Sequence, residues 1–168
     1  MDELKNVQDS FINHWGALGT AWGVNRTLTQ IHALLMTAQE PMTTDQIMER
    51  LKISRGNAHS NIKELANWGI VKQVIIPGER KDYYTAEKDP WKALCLVARE
   101  RKRREIEPAL DALAECITAS EGLKGKEAKA FHEQMQELNK FLEMADSILS
   151  RLGRSEKSRV LKWMLALI

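Results

Sequence analysis

Residues 43–85 read TTDQIMERLKISRGNAHSNIKELANWGIVKQVIIPGERKDYYT. They begin with two helical patterns and end with two strand patterns. Thr43 lies three residues before Gln46, which is the spacing of a capping box and predicts that a helix begins there. Only Lys52-Ile53 separates that helix from Ser54, a residue type that favours the cap position of a second helix. The start of this segment therefore predicts two short helices joined by a tight turn.

The second predicted helix has an apolar face and a polar face. Small and apolar residues recur at spacings of four, three and four, as in a buried helical stripe: Ala58, Ile62, Leu65 and Gly69. The opposite face and its flanks carry mostly short polar or charged side chains: Arg55, Gly56, Asn57, His59, Ser60, Asn61, Lys63, Glu64 and Asn67. Asparagine can read adenine, arginine can read guanine, lysine can hold a phosphate, and glycine lets a backbone approach the duplex. This face therefore predicts contact with the DNA major groove.

A β-hairpin with a basic tip is predicted directly after this helix. The runs Ile70–Ile76 and Asp82–Ala86 have strand character, and the residues PGER at 77–80 are typical of a turn. Arg80 and Lys81 therefore lie at the tip of the hairpin. In a winged helix-turn-helix, such a tip lies beside the minor groove or the phosphates.

Positive charge is concentrated in the same segment. From Arg50 to Lys81 there are seven basic and two acidic residues, a local excess of five, although the whole chain carries only +2. A local excess of this kind is what a single DNA-binding face requires. We therefore predict that the following residues contact DNA: Thr44, Ser54, Arg55, Gly56, Asn57, His59, Ser60, Asn61, Lys63, Arg80 and Lys81. The alternative is a winged helix that serves as a protein-interaction or assembly module without direct DNA contact.

The run SRGNAHSNIKELANWGIVKQVIIPGERKDYYTAEKDPW, together with HWGALG upstream, resembles the GbsR-type branch of the MarR superfamily of bacterial and archaeal regulators. The resemblance covers roughly residues 10–95. It implies a dimeric transcriptional regulator, in many members a repressor, whose affinity for DNA can respond to a small molecule. Some members of the branch are associated with choline and with the control of glycine betaine synthesis.

Length and composition agree with a mainly helical protein. The chain has 168 residues, of which 43% are hydrophobic and 29% charged. We predict a mainly α fold with a small β-hairpin wing. Residues 1–89 would form N-terminal helices and a winged helix-turn-helix DNA-binding domain, and residues 90–168 a helical dimerisation region.

Other classes of function have little support in the sequence. The two cysteines lie far apart, the four histidines are scattered, and no metal-ligand spacing or catalytic set is visible. We therefore expect no metal, no cofactor and no enzymatic activity. The polar N-terminus predicts no signal peptide, and the longest apolar run near the C-terminus, MLALI, is too short to span a bilayer. The predicted location is the cytoplasm.

The segments on either side of the winged helix read as helices. An N-terminal helix carries four apolar residues on one face: Phe11, Trp15, Leu18 and Trp22. A second helix, from about Asn25 to Gln39, has inward-facing positions at Leu28, Ile31, Leu34 and Leu35. Another helix begins at Asp89-Pro90, is kinked or restarted at Pro108, and precedes a linker at 121–126. Its charge run at 99–104 either contacts flanking phosphates or acidic partners, or is a solvated stretch with internal ion pairs.

Beyond residue 131 an apolar pattern with spacings of four and three predicts a helix–helix seam: Phe131, Met135, Leu138, Leu142, Ala145, Leu149 and Leu152. Its partner is either the helix at 90–119 of the same chain or the same helix of a second subunit. We predict a homodimer, because two recognition helices double the DNA contacts and set half-sites about 34 Å apart. Residues 155–168 are predicted to pack into that interface, so their deletion should abolish dimerisation.

Seven aromatic residues lie in or next to the predicted DNA-binding half: Phe11, Trp15, Trp22, Trp68, Tyr83, Tyr84 and Trp91. A cage of such rings could bind a quaternary ammonium effector such as choline through cation–π attraction. The alternative is that most of these rings are core residues.

Overall fold

The structure is a computed structural model that describes residues 2–154. Within these residues the helices and strands are, in chain order: α1 (Asp2–Ala21), α2 (Arg26–Thr37), β1 (Met42–Thr43), α3 (Thr44–Leu51), α4 (Arg55–Asn67), β2 (Val71–Val74), β3 (Tyr83–Ala86), α5 (Pro90–Arg101), α6 (Glu107–Ser120) and α7 (Lys126–Arg154). A π-helical segment, Lys102–Ile106, joins α5 to α6. The chain divides into two compact units between Ala93 and Leu94, which is inside α5 rather than before it. The prediction for residues 155–168 lies outside the described residues.

Helix α2 is the centre of the first unit. Asn25 caps it by accepting a hydrogen bond from the Leu28 N–H at 3.1 Å. The helix packs against α1, α3, α4 and β3, and its predicted inward-facing residues are all buried: Leu28, Ile31, Leu34 and Leu35. The sequence periodicity therefore identified this buried face correctly.

The face of α1 that packs on α2 does not contain the aromatic residues of α1. Ile12 is buried, and so are Gly16 and Gly19, whose missing side chains let the two helices approach closely. A Cβ atom on Gly19 would lie 2.8 Å from the Cβ of Thr29 on α2. The predicted apolar stripe does lie on one side of α1, but Leu18 and Trp22 are 44% and 51% exposed. It therefore does not form the core of the unit.

The predicted helix-turn-helix is confirmed by its caps. The Thr43 N–H donates to Gln46 Oε1 at 2.7 Å, and the Gln46 N–H donates to Thr43 Oγ1 at 3.3 Å, which completes the capping box. Lys52 ends α3 in the left-handed conformation (φ 53°), and Ser54 Oγ caps α4 by accepting from the Asn57 N–H.

The predicted hairpin is part of a three-stranded antiparallel sheet with the order β1-β3-β2. Strands β2 and β3 pair from Val71 opposite Ala86 to Val74 opposite Tyr83. The added strand β1 consists of two residues, and its Met42 pairs with Tyr84. This short strand was not predicted from the sequence, and it connects the beginning of the helix-turn-helix to the wing.

The helical segment that begins at Pro90 and continues into the second unit changes its hydrogen bonding just before Pro108. Proline has no N–H to donate to the carbonyl four residues earlier, and its ring crowds that carbonyl. The backbone adopts a π-helical turn over Lys102–Ile106, after which α6 continues. The expected interruption at Pro108 therefore takes the form of a π-helical turn just before the proline, after which the α-helix restarts.

The charge run at 99–104 is extensively paired within the second unit. Glu100 is buried and accepts hydrogen bonds from Arg103 and Arg104, which lower the pKa of its carboxyl, Arg103 contributing most. Lys102 Nζ lies 2.6 Å from Glu107 and 2.9 Å from Asp146. These pairs support the interpretation of the run as a solvated helical stretch with internal ion pairs.

Helix α7 packs on α6 and on the π-helical segment, so its predicted seam has a partner within the chain. Most of the seam is half-buried: Met135, Leu142, Ala145, Leu149 and Leu152. A neighbouring face is exposed and strongly apolar, and we call it the α7 apolar face: Phe131, Leu138, Phe141, Met144 and Ile148. The intrachain pairing therefore leaves much of the apolar surface of α7 in contact with solvent.

Within residues 2–154, none of the helices combines the length and the apolar character needed to cross a membrane.

Candidate nucleic-acid interface

Packing inside the first unit fixes which side of α4 faces outwards. Ala58, Ile62 and Leu65 are at most 3% exposed and lie against the core, where Ile47 of α3 is fully buried. The predicted inward stripe of α4 is therefore confirmed at these three positions. Gly69, with a φ of 78°, lies just after the helix in a conformation that favours glycine.

The outward side of α4 exposes most of the predicted DNA-contacting residues: Ser54, Arg55, Gly56, Asn57, His59, Ser60 and Lys63. A Cβ atom on Gly56 would meet no atom within 4 Å, so the fold itself does not require glycine there. A bare backbone at this point leaves room for a large partner to approach the first turn of the helix. The polar face therefore has the shape and composition that groove binding needs.

Asn61 is an exception, and its expected exposure was wrong. The residue is only 6% exposed, because it lies three residues after Ala58 on the inward side of the helix. Its Nδ2 donates to Asn57 O at 2.8 Å and to Asn57 Oδ1 at 2.6 Å. The side chain of Asn61 therefore faces the core, and it orients the carboxamide of Asn57, which is exposed.

The wing tip and the beginning of α4 meet around one cleft. Its volume is about 220 Å³, and its lining contains four of the predicted residues together with three others: Thr44, Arg55, Arg80 and Lys81, and Thr43, Asp45 and Asp82. Thr44 is half-buried, whereas Arg80 and Lys81 are exposed. The structure thus brings together basic residues that are 25 or more positions apart in the sequence, from Arg55 to Arg80.

Asp45 contacts two of these cations. Its Oδ1 accepts a hydrogen bond from Arg55 Nη2 at 2.7 Å, and its Oδ2 lies 3.7 Å from Lys81 Nζ. Asp45 lies in the first turn of α3, where the helix dipole favours an anion. Its contact with Arg55 crosses the turn, and its contact with Lys81 crosses to the wing, so helical spacing could not reveal either.

Three of the seven aromatic residues lie along α1 and its C-terminal end. The rings of Phe11 and Trp15 are 5.5 Å apart and those of Trp15 and Trp22 are 5.9 Å apart, all along one side of α1. Three surface cavities, of about 540, 310 and 220 Å³, have no aromatic side chain in their lining. None of these three cavities is therefore the ring-lined cage that a quaternary ammonium would need.

Two helices joined by a tight turn, a hairpin packed beside them and a basic tip define a winged helix-turn-helix protein. Residues 22–81 match the model of the MarR family. The resemblance to the GbsR-type branch is also confirmed by a curated relative, the HTH-type transcriptional repressor GbsR of Bacillus subtilis (strain 168). The two sequences are 24% identical over 112 residues, which are 67% of this chain and 62% of that relative.

A solved structure gives the same fold. The crystal structure of a transcriptional regulator superposes with a TM-score of 0.68 and covers 89% of this chain and 98% of its own, at 15% sequence identity. This likeness confirms the predicted mainly α fold with a small β wing. Neither the matching family model nor the curated relative is named as an enzyme.

Proposed function

We propose that this chain is a DNA-binding transcriptional regulator that acts in the cytoplasm as a homodimeric repressor. The observation that carries the proposal is the exposed polar face of α4, which lies beside a basic wing tip. In this proposal α4 enters the major groove and the wing tip contacts phosphates. The MarR family match and the GbsR relative support it.

Different residues have different roles in the proposed complex. Asn57, held by Asn61, is the candidate for reading adenine, and Arg55 is the candidate for reading guanine. Lys63, Arg80 and Lys81 are exposed cations suited to phosphate contacts, which give affinity but not sequence preference. The exposed positions at Gly56, His59 and Ser60 complete the surface that faces the groove.

Salt dependence separates this function from a protein-interaction module. A protein that neutralises phosphates should lose affinity by about 0.9 log units per contact for each tenfold rise in salt. The measurement is fluorescence anisotropy of a labelled random duplex titrated with the purified chain at several salt concentrations. Failure to retain any duplex at low salt would contradict DNA binding and favour the interaction module.

Two substitutions test the division of roles. Asn57→Ala should weaken binding to a selected genomic fragment by about 1–3 kcal/mol, because a base contact is lost. Arg80→Ala should weaken binding to all duplexes alike and lower the salt dependence by about one contact. Lys129→Ala, which removes an exposed lysine of α7, is the control and should leave binding unchanged. Equal binding by Asn57→Ala and wild type would remove Asn57 from the base-reading set.

The α7 apolar face supports the proposed homodimer. Phe141 and Ile148 are 58% and 59% exposed, and burying such a side chain stabilises an assembly by about 1.5–3 kcal/mol. Phe141→Asp should therefore shift the molar mass measured by light scattering from dimer to monomer. Ser147→Asp places the same charge on the exposed polar side of α7 and should leave the dimer intact. A wild-type chain that is monomeric at all concentrations would contradict this part of the proposal.

The proposal includes a response to a small molecule, which is supported by the family resemblance and by the number of aromatic residues in the first unit. An effector would act by changing the angle between subunits, which would move the two recognition helices away from their half-sites. Thermal-shift and calorimetric titrations with choline and related cations are the appropriate test. No shift with any of them would exclude this class of effector.

A further inference from the structure

Asp45 lies between the proposed reading helix and the wing. It is in the first turn of α3, and its side chain is 50% exposed. One carboxylate oxygen accepts from Arg55 at 2.7 Å and the other faces Lys81 at 3.7 Å. A single anion therefore engages two of the cations that the proposed function assigns to DNA.

These contacts are weak enough to exchange. The side chains of Arg55 and Lys81 are 72% and 63% exposed, and ion pairs between exposed groups are screened by water and salt. A DNA phosphate offers Arg55 the same kind of partner as a carboxylate does. The duplex must therefore displace Asp45 from both cations, and it must also approach an uncompensated negative charge once they have moved.

We propose that Asp45 competes with DNA for Arg55 and Lys81, and holds both side chains against the protein until a duplex offers contacts that replace it. This inference rests on the proposed DNA-binding function. Random duplex offers only phosphates, so its binding is weakened by the competition and by the repulsion. A selected site also offers base edges to α4, and these additional contacts offset the loss of the Asp45 pairs. Asp45 thus lowers affinity for all DNA, so that only a duplex that also offers base contacts to α4 is bound tightly.

The test is Asp45→Asn, which keeps the shape of the side chain and removes its charge. Affinity for a random duplex, measured by fluorescence anisotropy at about 0.1 M salt, should rise about tenfold, because one or two cations become available to phosphates. The slope of log affinity against log salt should steepen by about 1–2, which corresponds to the added phosphate contacts. Affinity for a selected genomic fragment should rise by a similar factor, because that duplex must also displace Asp45.

Asp82→Asn is the matched control. Asp82 lines the same cleft and loses the same charge, but its Oδ1 accepts a hydrogen bond from Gln73 Nε2 at 2.6 Å instead of pairing with Arg55. Its effect on random-duplex affinity should be several-fold smaller than that of Asp45→Asn. Equal increases in both variants would mean that only the general charge of the surface matters, and would overturn the specific role of Asp45.

Replacing Arg55 and Lys81 together tests whether the effect of Asp45→Asn on DNA affinity depends on these two cations. In a chain that already carries Arg55→Gln and Lys81→Gln, adding Asp45→Asn should raise random-duplex affinity by much less than it does in the wild-type background, because only the repulsion of the phosphates is then removed. An undiminished increase in that background would overturn the proposal. A wild-type chain that binds duplex, with Asp45→Asn unchanged or weaker, would refute this inference alone. A wild-type chain that binds no duplex at all would refute the proposed function together with it.

Discussion

The two helix pairs of this protein, α1 with α2 and α6 with α7, use similar apolar spacing and reach very different burial. Ile31 of α2 is fully buried, whereas Ile148 of α7 is 59% exposed. Helix α2 has neighbours on several sides, because α3, α4 and the sheet pack on it as well as α1. Helix α7 packs mainly on α6 and on the π-helical segment.

This difference in burial shows that an apolar stripe on a helix is buried only where several other helices or strands pack against it. In the first unit the converging elements are supplied by the same chain, and they hold the proposed DNA-binding surface in place. In the second unit the described residues leave one face of α7 without an apolar neighbour. This contrast is what makes the second unit the candidate for subunit contacts, and it makes the two units respond differently to substitution.

The largest expected effect is a difference in the free energy of unfolding between two isoleucine-to-alanine substitutions, one in each unit. Ile31→Ala should lower the free energy of unfolding by about 2–5 kcal/mol, because it removes a fully buried side chain and leaves a cavity. Ile148→Ala should cost less than about 0.5 kcal/mol in dilute solution, since most of its side chain already contacts water. Urea unfolding followed by circular dichroism measures both.

Measuring the cost of both substitutions at several protein concentrations tests whether a second subunit covers α7. If a second subunit covers the α7 apolar face, the cost of Ile148→Ala should grow as concentration rises, whereas the cost of Ile31→Ala should stay constant. Equal costs for the two substitutions in dilute solution would contradict the contrast between the units.

Acidification should affect the two units at different pH. His32 in the first unit is buried, and burial lowers its pKa from 6.5 to about 4. Between these values the unfolded chain binds more protons than the folded chain, so stability present above pH 6.5 is lost as the pH falls to about 4. The loss should reach about 3 kcal/mol. In the second unit Glu100 has a lowered pKa, so its contribution is lost only below the ordinary carboxyl value of 4.5.

The measurement is urea unfolding of wild type and His32→Gln between pH 7 and pH 4. The variant keeps a polar side chain at this position but cannot take up the proton, so its stability should vary less over that range. Parallel pH profiles for the two proteins would show that His32 does not control the acid sensitivity of the first unit.

Much of the helix-turn-helix could be predicted because its signals are local. The capping box at Thr43 and the cap at Ser54 depend on residues three positions apart, and a hydrogen bond within one turn fixes each. Strand β1 was missed because two residues cannot display an alternating pattern. Its pairing with β3 is also a contact between residues far apart in the sequence, such as Met42 and Tyr84.

Two errors came from judging residues by type rather than by position. Asn61 is polar, yet it lies three residues after Ala58, so the helical period alone places it on the inward side. On α1 the aromatic residues and Leu18 suggested a core face, whereas the buried positions are Ile12, Gly16 and Gly19, two of which are small enough for close helix packing. The partner of α7 could not be predicted, because a heptad pattern specifies an apolar seam but not the helix that fills it.

The smallest expected effect tests how closely α1 and α2 must approach. Gly19→Ala should destabilise the protein by about 1–3 kcal/mol, because the new Cβ would lie 2.8 Å from the Cβ of Thr29, which is fixed to the α2 backbone. Gly16→Ala also meets α2, but at the Cγ of Gln30, 2.6 Å away on a flexible side chain that can turn aside. Since alanine also favours the helix by about 1 kcal/mol, Gly16→Ala should be close to neutral. Thermal unfolding should therefore show a clear loss of stability for Gly19→Ala and almost none for Gly16→Ala, although the two positions are less than one helical turn apart. Equal losses of stability would mean that α1 and α2 do not approach each other as closely as the structure shows.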